Sequence, residues 1–235
     1  MHRRACLLLP LAFVAACATR IGTGGKRETV VDPKYLMKSD IDRVIDAARA
    51  EVVGGLLRFA EKLYRRNPRE LRKGPSPTVE AAMLRLRGSR RLDFPELGGA
   101  REGAAATLAF REDYAGDRVL ALMAGLLGMA YAAFEDKEDF YLLDELDAQK
   151  LYNCARNLEI AMWKLATAKG DGGEPMLLSN ELDPNNRNLS FEREFGRIAG
   201  LLDFLARLVA DKHGRILSRV AQNMATAVFL PVGGL

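Results

Sequence analysis

Few residues in this chain are suited to carry chemistry. It has 2 histidines and 3 cysteines among 235 residues. His213, the one histidine beyond the first sixteen residues, precedes a glycine that predicts a helix end, where the helix dipole favours a cation. Zinc clusters are built mainly from several Cys and His ligands, so this composition effectively excludes one. We therefore expect neither a metal nor a cofactor.

Pairs of carboxylates are the remaining candidates for acid–base chemistry. Glu135-Asp136 and Glu138-Asp139 lie in segment 135–147, where seven acids face one lysine. A general acid needs an apolar setting that raises its pKa, whereas a dense run of charge indicates solvated carboxylates. The sequence also lacks a G-x-S-x-G motif, a phosphate-binding glycine loop and an H-E-x-x-H motif. We predict no catalytic residue and keep a carboxylate-dependent hydrolase as an alternative.

One loop approaches the spacing of a calcium site. Asp183, Asn185 and Glu194 fall at the first, third and twelfth positions of an EF-hand loop. Arg187 occupies the fifth position, where an oxygen ligand belongs, and Asn188 replaces the glycine of the turn. A helix-capping loop explains the Asp, Asn and Ser content better.

The N-terminal segment combines a charged start, an apolar stretch and a cysteine. Arg3 and Arg4 precede the apolar residues 5–14, which are far fewer than the roughly 20 that span a bilayer. The tetrapeptide VAAC, ending at Cys17, then resembles the lipobox of bacterial lipoproteins. The resemblance covers residues 1–17 and implies cleavage before Cys17 and lipid attachment to its thiol. An ordinary cleaved signal with an incidental cysteine is the alternative.

The same resemblance implies a location and a division of the chain. In lipoproteins an aspartate after the cysteine favours the inner membrane, so Ala18 implies an outer-membrane anchor facing the periplasm. Residues 1–16 would be the signal peptide, 17–38 the lipidated N-terminus and a flexible spacer, and 39–235 a single all-α periplasmic domain. Once Cys6 is removed and Cys17 carries lipid, Cys154 remains alone, so no intramolecular disulfide is possible.

Hydrophobic periodicity is helical nearly throughout and predicts an irregular all-α bundle of about six helices. The first helix starts at Ser39 or Asp40 and ends at Asn67-Pro68. Its apolar face comprises Ile41, Val44, Ile45, Ala48, Val52, Leu56, Phe59 and Leu63.

Later helices follow from their caps and apolar faces. Ser76 and Pro77 predict the start of a second helix. A helix from Asp147 to Ala168 places Cys154 on its buried face, as a small hydrophobic residue rather than a reactive thiol. Ser190 predicts the cap of the next helix, and segment 215–229 predicts another.

Segment 119–134 has no charged residue and could be mistaken for a membrane span. As a helix it measures about 24 Å, less than the roughly 30 Å of a bilayer core. Its alanines and glycines, Gly125 among them, would let neighbouring helices approach closely. We predict a buried central helix, with membrane insertion as the alternative.

Two fragments, EKLYRRNP and ELDPNN, resemble parts of the tetratricopeptide repeat, a helix-pair scaffold for peptide binding. Their prolines, Pro68 and Pro184, are not separated by a multiple of the 34-residue repeat. The resemblance implies a helical hairpin in part of the fold, not a repeat array.

Charge is unevenly distributed, although the net charge of +4 is small for the whole chain. Segment 58–91 carries eleven Lys and Arg against three glutamates. Such a face is either simply solvated or turned toward anionic headgroups or an acidic partner. Candidates for such surface docking are Arg65, Arg66, Arg69 and Arg72. We expect no nucleic-acid partner.

Together these features favour binding over catalysis. We expect an outer-membrane-anchored lipoprotein that docks, chaperones or scaffolds another protein of the envelope. The alternatives are the hydrolase and a carrier that holds an apolar ligand in its helical core. A cleft with a buried carboxyl of raised pKa would favour the enzyme, a large apolar cavity the carrier, and an exposed apolar groove the scaffold.

Overall fold

A computed structural model describes residues 18–21, 27–30, 38–141, 144–181, 185, 188–212 and 228–233. These residues include seven α-helices, which confirm the predicted all-α bundle. They are α1 (Asp40–Arg66), α2 (Pro68–Leu71), α3 (Val79–Gly88), α4 (Glu102–Leu108), α5 (Arg118–Ala133), α6 (Ala148–Thr167) and α7 (Ser190–Lys212). A 3-10 turn, Pro95–Leu97, lies between α3 and α4.

Two short strands precede the helices, within the segment predicted as a spacer. Strand β1 (Ala18–Ile21) pairs antiparallel with β2 (Arg27–Val30), so that Ala18 lies opposite Val30.

The two ends of α1 are fixed by side chains that bond to the backbone. At the start, the Ser39 hydroxyl accepts from the Asp42 amide while the Asp42 carboxylate accepts from the Ser39 amide, a capping box. At the end, Asn67 is buried, and its side-chain amide donates to the carbonyls of Leu63 and Leu178. Asn67 therefore joins the end of α1 to the loop that follows α6.

Helix α5 is the centre of the bundle, as its uncharged sequence predicts. Nearly all of its residues are buried, and it packs against α1, α4 and α6, while α7 packs against α6 and α1. At Gly125 an added Cβ would lie 2.5 Å from the amide nitrogen of Ala106. The glycine thus allows α4 and α5 to touch backbone to backbone. None of the helices among the described residues has the length and apolar character needed to cross a membrane.

Details of the helix starts and faces differ from the sequence prediction. The cap of α3 is Thr78 rather than Ser76, because its hydroxyl reaches the Ala81 amide at 3.2 Å. Ser190 is the first residue of α7, and the Asn188 side chain accepts from its amide. Val44 is 44% exposed, at the edge of the apolar face of α1. The helix predicted over 215–229 lies almost wholly outside the described residues.

The expected role of Cys154 is confirmed. It is a free, buried cysteine on the packed face of α6. Burial raises the pKa of its thiol to about 12, so the thiolate needed for nucleophilic chemistry is not formed near neutral pH.

Candidate functional site

Three of the four carboxylates considered for catalysis lie beside cations. Lys150 lies 2.9 Å from Glu135, Lys38 lies 2.6 Å from Asp139, and Arg90 approaches Glu138 at 3.7 Å. None of these three side chains lies in the apolar setting that a general acid requires.

A carboxyl that the sequence prediction did not single out has the raised pKa. Asp117 is only 5% exposed, and burial raises its pKa to about 6, with the nearby charge of Glu70 adding to the effect. One oxygen caps α5 by accepting from the Leu120 amide at 2.9 Å, and the other accepts from the Tyr64 hydroxyl at 2.9 Å. Its position directly before an apolar helix was the available sequence signal for this cap.

Glu70 completes this interior network. It is fully buried, and its two oxygens accept from the Lys73 ammonium at 2.9 Å. One of them also accepts from the backbone amide of Arg118, at the start of α5. The hydrogen bonds of Asp117 and Glu70 therefore hold α1, α2 and α5 together and already occupy the oxygens of both carboxylates. Neither residue lines the cavities described below. The network therefore has a structural role.

The arginines predicted to dock are mostly engaged within the chain. Arg65 pairs with Glu61 one helical turn away, at 2.8 Å, and Arg66 pairs with Glu181 at 3.0 Å. Arg69 donates to the carbonyl oxygens of Pro175 and Met176, in the loop between α6 and α7.

Arg72, the fourth of these arginines, is exposed, and among the described residues it forms no ion pair. Three of the four arginines thus already bind acceptors within the chain, and those of Arg66 and Arg69 lie in the segment between α6 and α7. The docking role of the four stays a prediction.

An exposed groove runs between α6 and α7, with a volume of about 480 Å³. Its apolar surface is formed by Met162, Trp163, Ala166, Phe195, Gly196 and Gly200. Trp163 is the chain's single tryptophan, a residue type enriched at protein interfaces. Phe204, one turn beyond Gly200 on α7, is 57% exposed.

The glycines of this groove leave space that nothing in the described chain fills. A Cβ added to Gly196 or Gly200 would meet no atom within 4 Å. Glycine inside a helix costs about 1 kcal/mol relative to alanine, and in the described ranges no neighbouring backbone occupies the space beside these two glycines. The small residues therefore keep the groove open at the expense of helix stability.

Acidic side chains border the groove. Glu159 and Asp203 share Arg156, which contacts Glu159 at 2.6 Å and also pairs with Asp203. Burial raises the pKa of Glu159. Glu192 stands at the other end of the groove, where its exposed carboxylate accepts a hydrogen bond from Asn180. Three carboxylates against one guanidinium leave this rim negative.

Three positions that the sequence analysis considered are not described by the structure. Cys17, His213 and Asp183 lie outside the described residues. Within the described ranges, no group of three His, Cys, Asp or Glu residues is placed to hold a metal ion.

Comparisons of the chain with protein-family models, with curated proteins and with solved structures found no match. Its function is therefore inferred from its own residues.

Proposed function

We propose that this protein is an outer-membrane-anchored, periplasm-facing lipoprotein that binds another protein of the cell envelope. The anchor would be lipid on Cys17, supported by the lipobox-like residues that end there. Stable anchoring takes two acyl chains or more, which lipoproteins of this kind carry. The helical body would be the binding part.

The observation that carries the binding role is the α6–α7 groove. It combines an apolar lining, a tryptophan and open glycines on two helices that pack against each other. Such a groove matches the recognition mode in which a partner helix lays its apolar face between two helices. Gly196 and Gly200 would let the partner backbone approach closely.

The rim indicates the chemistry of the partner. Glu159, Asp203 and Glu192 would face Lys or Arg residues that flank the partner's apolar stripe. We therefore favour a basic amphipathic helix over an acidic or uncharged one. Rim charges of this kind act mainly on the association rate and on the choice of partner.

Photo-crosslinking in intact cells tests this role. A photoreactive amino acid at Ala166 or Gly200 should yield one discrete protein adduct, while the same group at the exposed α1 residues Ala47 and Ala50 should not. Equal adducts from both surfaces, or none from the groove, would contradict the proposal.

Charge reversal on the rim adds a second test. Glu192→Lys should reduce the groove adduct severalfold, whereas Glu112→Lys, on an exposed residue away from the groove, should leave it unchanged. Equal loss in both variants would indicate a general charge effect, contrary to a groove that selects a basic helix.

The anchor is tested separately. Cys17→Ser should release the protein from outer-membrane fractions or leave it unprocessed, since the thiol is the proposed lipid acceptor. Ala18→Asp should move it toward the inner membrane on a density gradient. A Cys17→Ser variant that matures to the same size and stays with the outer membrane would overturn the anchor without touching the groove.

A further inference from the structure

A second cavity, on another side of the bundle from the groove residues, is lined by arginines. It has a volume of about 400 Å³ and lies where α4, α5 and the segment after α3 meet. Its apolar wall is formed by Leu92, Ala105, Ala124 and Gly128, with the ring of Tyr131 beside them. This size falls within the range of small-molecule pockets, about 300–1,000 Å³.

Five arginines line this cavity or the recess beside it. Arg90, Arg91 and Arg101 line the cavity itself. Arg49 and Arg87 line an adjoining recess of about 120 Å³, which shares Arg90, Tyr131 and Asp136 with it.

Not all of these arginines pair with a carboxylate of the described residues. Arg101 pairs with Asp93 at 3.0 Å, and Arg90 contacts Glu138 and the carbonyl of Asp136. In the part of the chain that the structure describes, no carboxylate pairs with the three others, Arg49, Arg87 and Arg91.

Arg49 is the most informative of them. Its Nε is buried and has no hydrogen-bond acceptor among the residues that the structure describes, and its guanidinium lies 5.9 Å from the centre of the Tyr131 ring. A buried donor without an acceptor is costly, and an anionic ligand beside it would supply the missing bond.

The backbone around the cavity is held in unusual conformations. The non-glycine residues with positive φ in the described ranges are Leu92 (50°), Glu102 (46°), Glu135 (54°) and Asp136 (54°). Three of them line the cavity, and Glu135 adjoins Asp136. L-residues adopt this conformation at a cost in strain, which clusters at binding sites where the surrounding structure holds it.

We propose that this cavity binds a small organic oxyanion, a phosphate ester or a carboxylate joined to an apolar or aromatic group. Arg49 and Arg91 would bind the oxyanion, because guanidinium groups match its geometry with paired, charge-assisted hydrogen bonds. The apolar part would lie on Leu92, Ala124 and Gly128. Such a ligand exists as a free molecule or as the headgroup region of an anionic lipid, and the two share this chemistry.

The acids of the cavity are compatible with an anion at the arginine side. Glu102 accepts a hydrogen bond from the Gly233 amide at 3.0 Å, which fixes its carboxylate toward the C-terminal segment. Asp136 and Glu138 are exposed at the mouth of the recess, near Arg90. They would limit the site to one oxyanion rather than a polyanion.

Calorimetry on the full-length protein, purified in a non-ionic detergent, tests the site with three probes: inorganic phosphate, phenyl phosphate and dihexanoyl phosphatidic acid. Phenyl phosphate or the short-chain lipid should bind at least tenfold more tightly than inorganic phosphate, because each adds an apolar group. A tighter phenyl phosphate points to a free ligand, and a tighter phosphatidic acid points to a lipid.

Arginine variants locate the binding. Arg91→Gln and Arg49→Gln should each weaken the better probe about tenfold, as loss of a charge-assisted bond does. Arg207→Gln, at an exposed arginine on α7 that lines neither the cavity nor its recess, is the matched control and should bind as the unmodified protein does. Equal weakening in all three variants would overturn the site.

Two further results bear on the proposal without depending on how the arginine variants fold. Gly128→Val keeps every charge but occupies the cavity, since a Cβ there would make ordinary 3.4 Å contact with Glu102. It should abolish the advantage of phenyl phosphate over inorganic phosphate. No binding of any probe to the unmodified protein, or an advantage that survives Gly128→Val, would overturn the proposal.

Discussion

The α4–α5 contact and the α6–α7 groove both depend on glycine, and they use it in opposite ways. At Gly125 the neighbouring helix backbone occupies the space that a side chain would need. At Gly196 and Gly200 no atom of the described residues lies within 4 Å of the position that a Cβ would take. The first pair of helices gains stability from close packing, whereas the second gives up helix stability to keep a surface concave. This difference separates a tightly packed contact from an open surface.

Among the substitutions that test this comparison, one at Gly125 should change the free energy of unfolding most. Gly125→Ala places a Cβ 2.5 Å from the Ala106 nitrogen and 2.6 Å from the Glu102 carbonyl oxygen, both backbone atoms that cannot move aside easily. We expect the free energy of unfolding to fall by about 3 kcal/mol, as overpacking of a tight contact does. Thermal melting followed by circular dichroism measures it. An unchanged melting temperature would mean that α4 and α5 are not in backbone contact.

The sequence predicted the buried position of α5 better than the open groove between α6 and α7. The lack of charge over 119–134 indicates burial for any helix, so the position of α5 at the centre followed directly. From the sequence alone, Gly196 and Gly200 indicate only low helix propensity. Whether a neighbour fills the space beside them depends on how α6 lies against α7. That packing is a tertiary property which periodicity does not encode.

The arginines illustrate the same limit of prediction from sequence. The sequence identified the arginines of segment 58–91 as an excess but not their partners. Arg66 pairs with Glu181, 115 positions away, and Arg69 binds carbonyls of the same distant loop. Arg90 and Arg91, further along the segment, line a cavity instead. Counting charge over a window cannot distinguish these uses, because ion pairs form between segments that only the fold brings together.

The pH dependence of stability should separate the buried end of α5 from the groove. Burial raises the pKa of Asp117 from about 3.8 to about 6 in the folded state. Between these values the folded protein holds a proton that the unfolded chain has released, so stability should fall as pH rises from 4 to 6. The size is about 2–3 kcal/mol for a shift of roughly two pKa units.

Asp117→Asn should flatten this dependence, because asparagine still caps α5 but does not titrate. Burial also raises the pKa of Glu159 at the groove, and its contribution has the same sign. Since Glu159 is more exposed than Asp117, Glu159→Gln should flatten the curve less. Melting temperatures measured from pH 4 to 7 for the three proteins test this order, and a larger effect of Glu159→Gln would reverse our assignment of the buried and open regions.

The smallest expected change in the free energy of unfolding is an increase. Gly200→Ala adds a methyl group to a helix where no atom lies within 4 Å, so it should raise the free energy of unfolding by about 0.5–1 kcal/mol through helix propensity alone. The same substitution at Gly125 lowers it, which makes the two variants a matched pair read by one melting experiment. A gain in stability at Gly200 accompanied by a weaker groove adduct in crosslinking would show that the glycine is kept for binding. If Gly200→Ala instead destabilised the protein, something in the folded chain would already fill the groove, and the contrast with the α4–α5 contact would disappear.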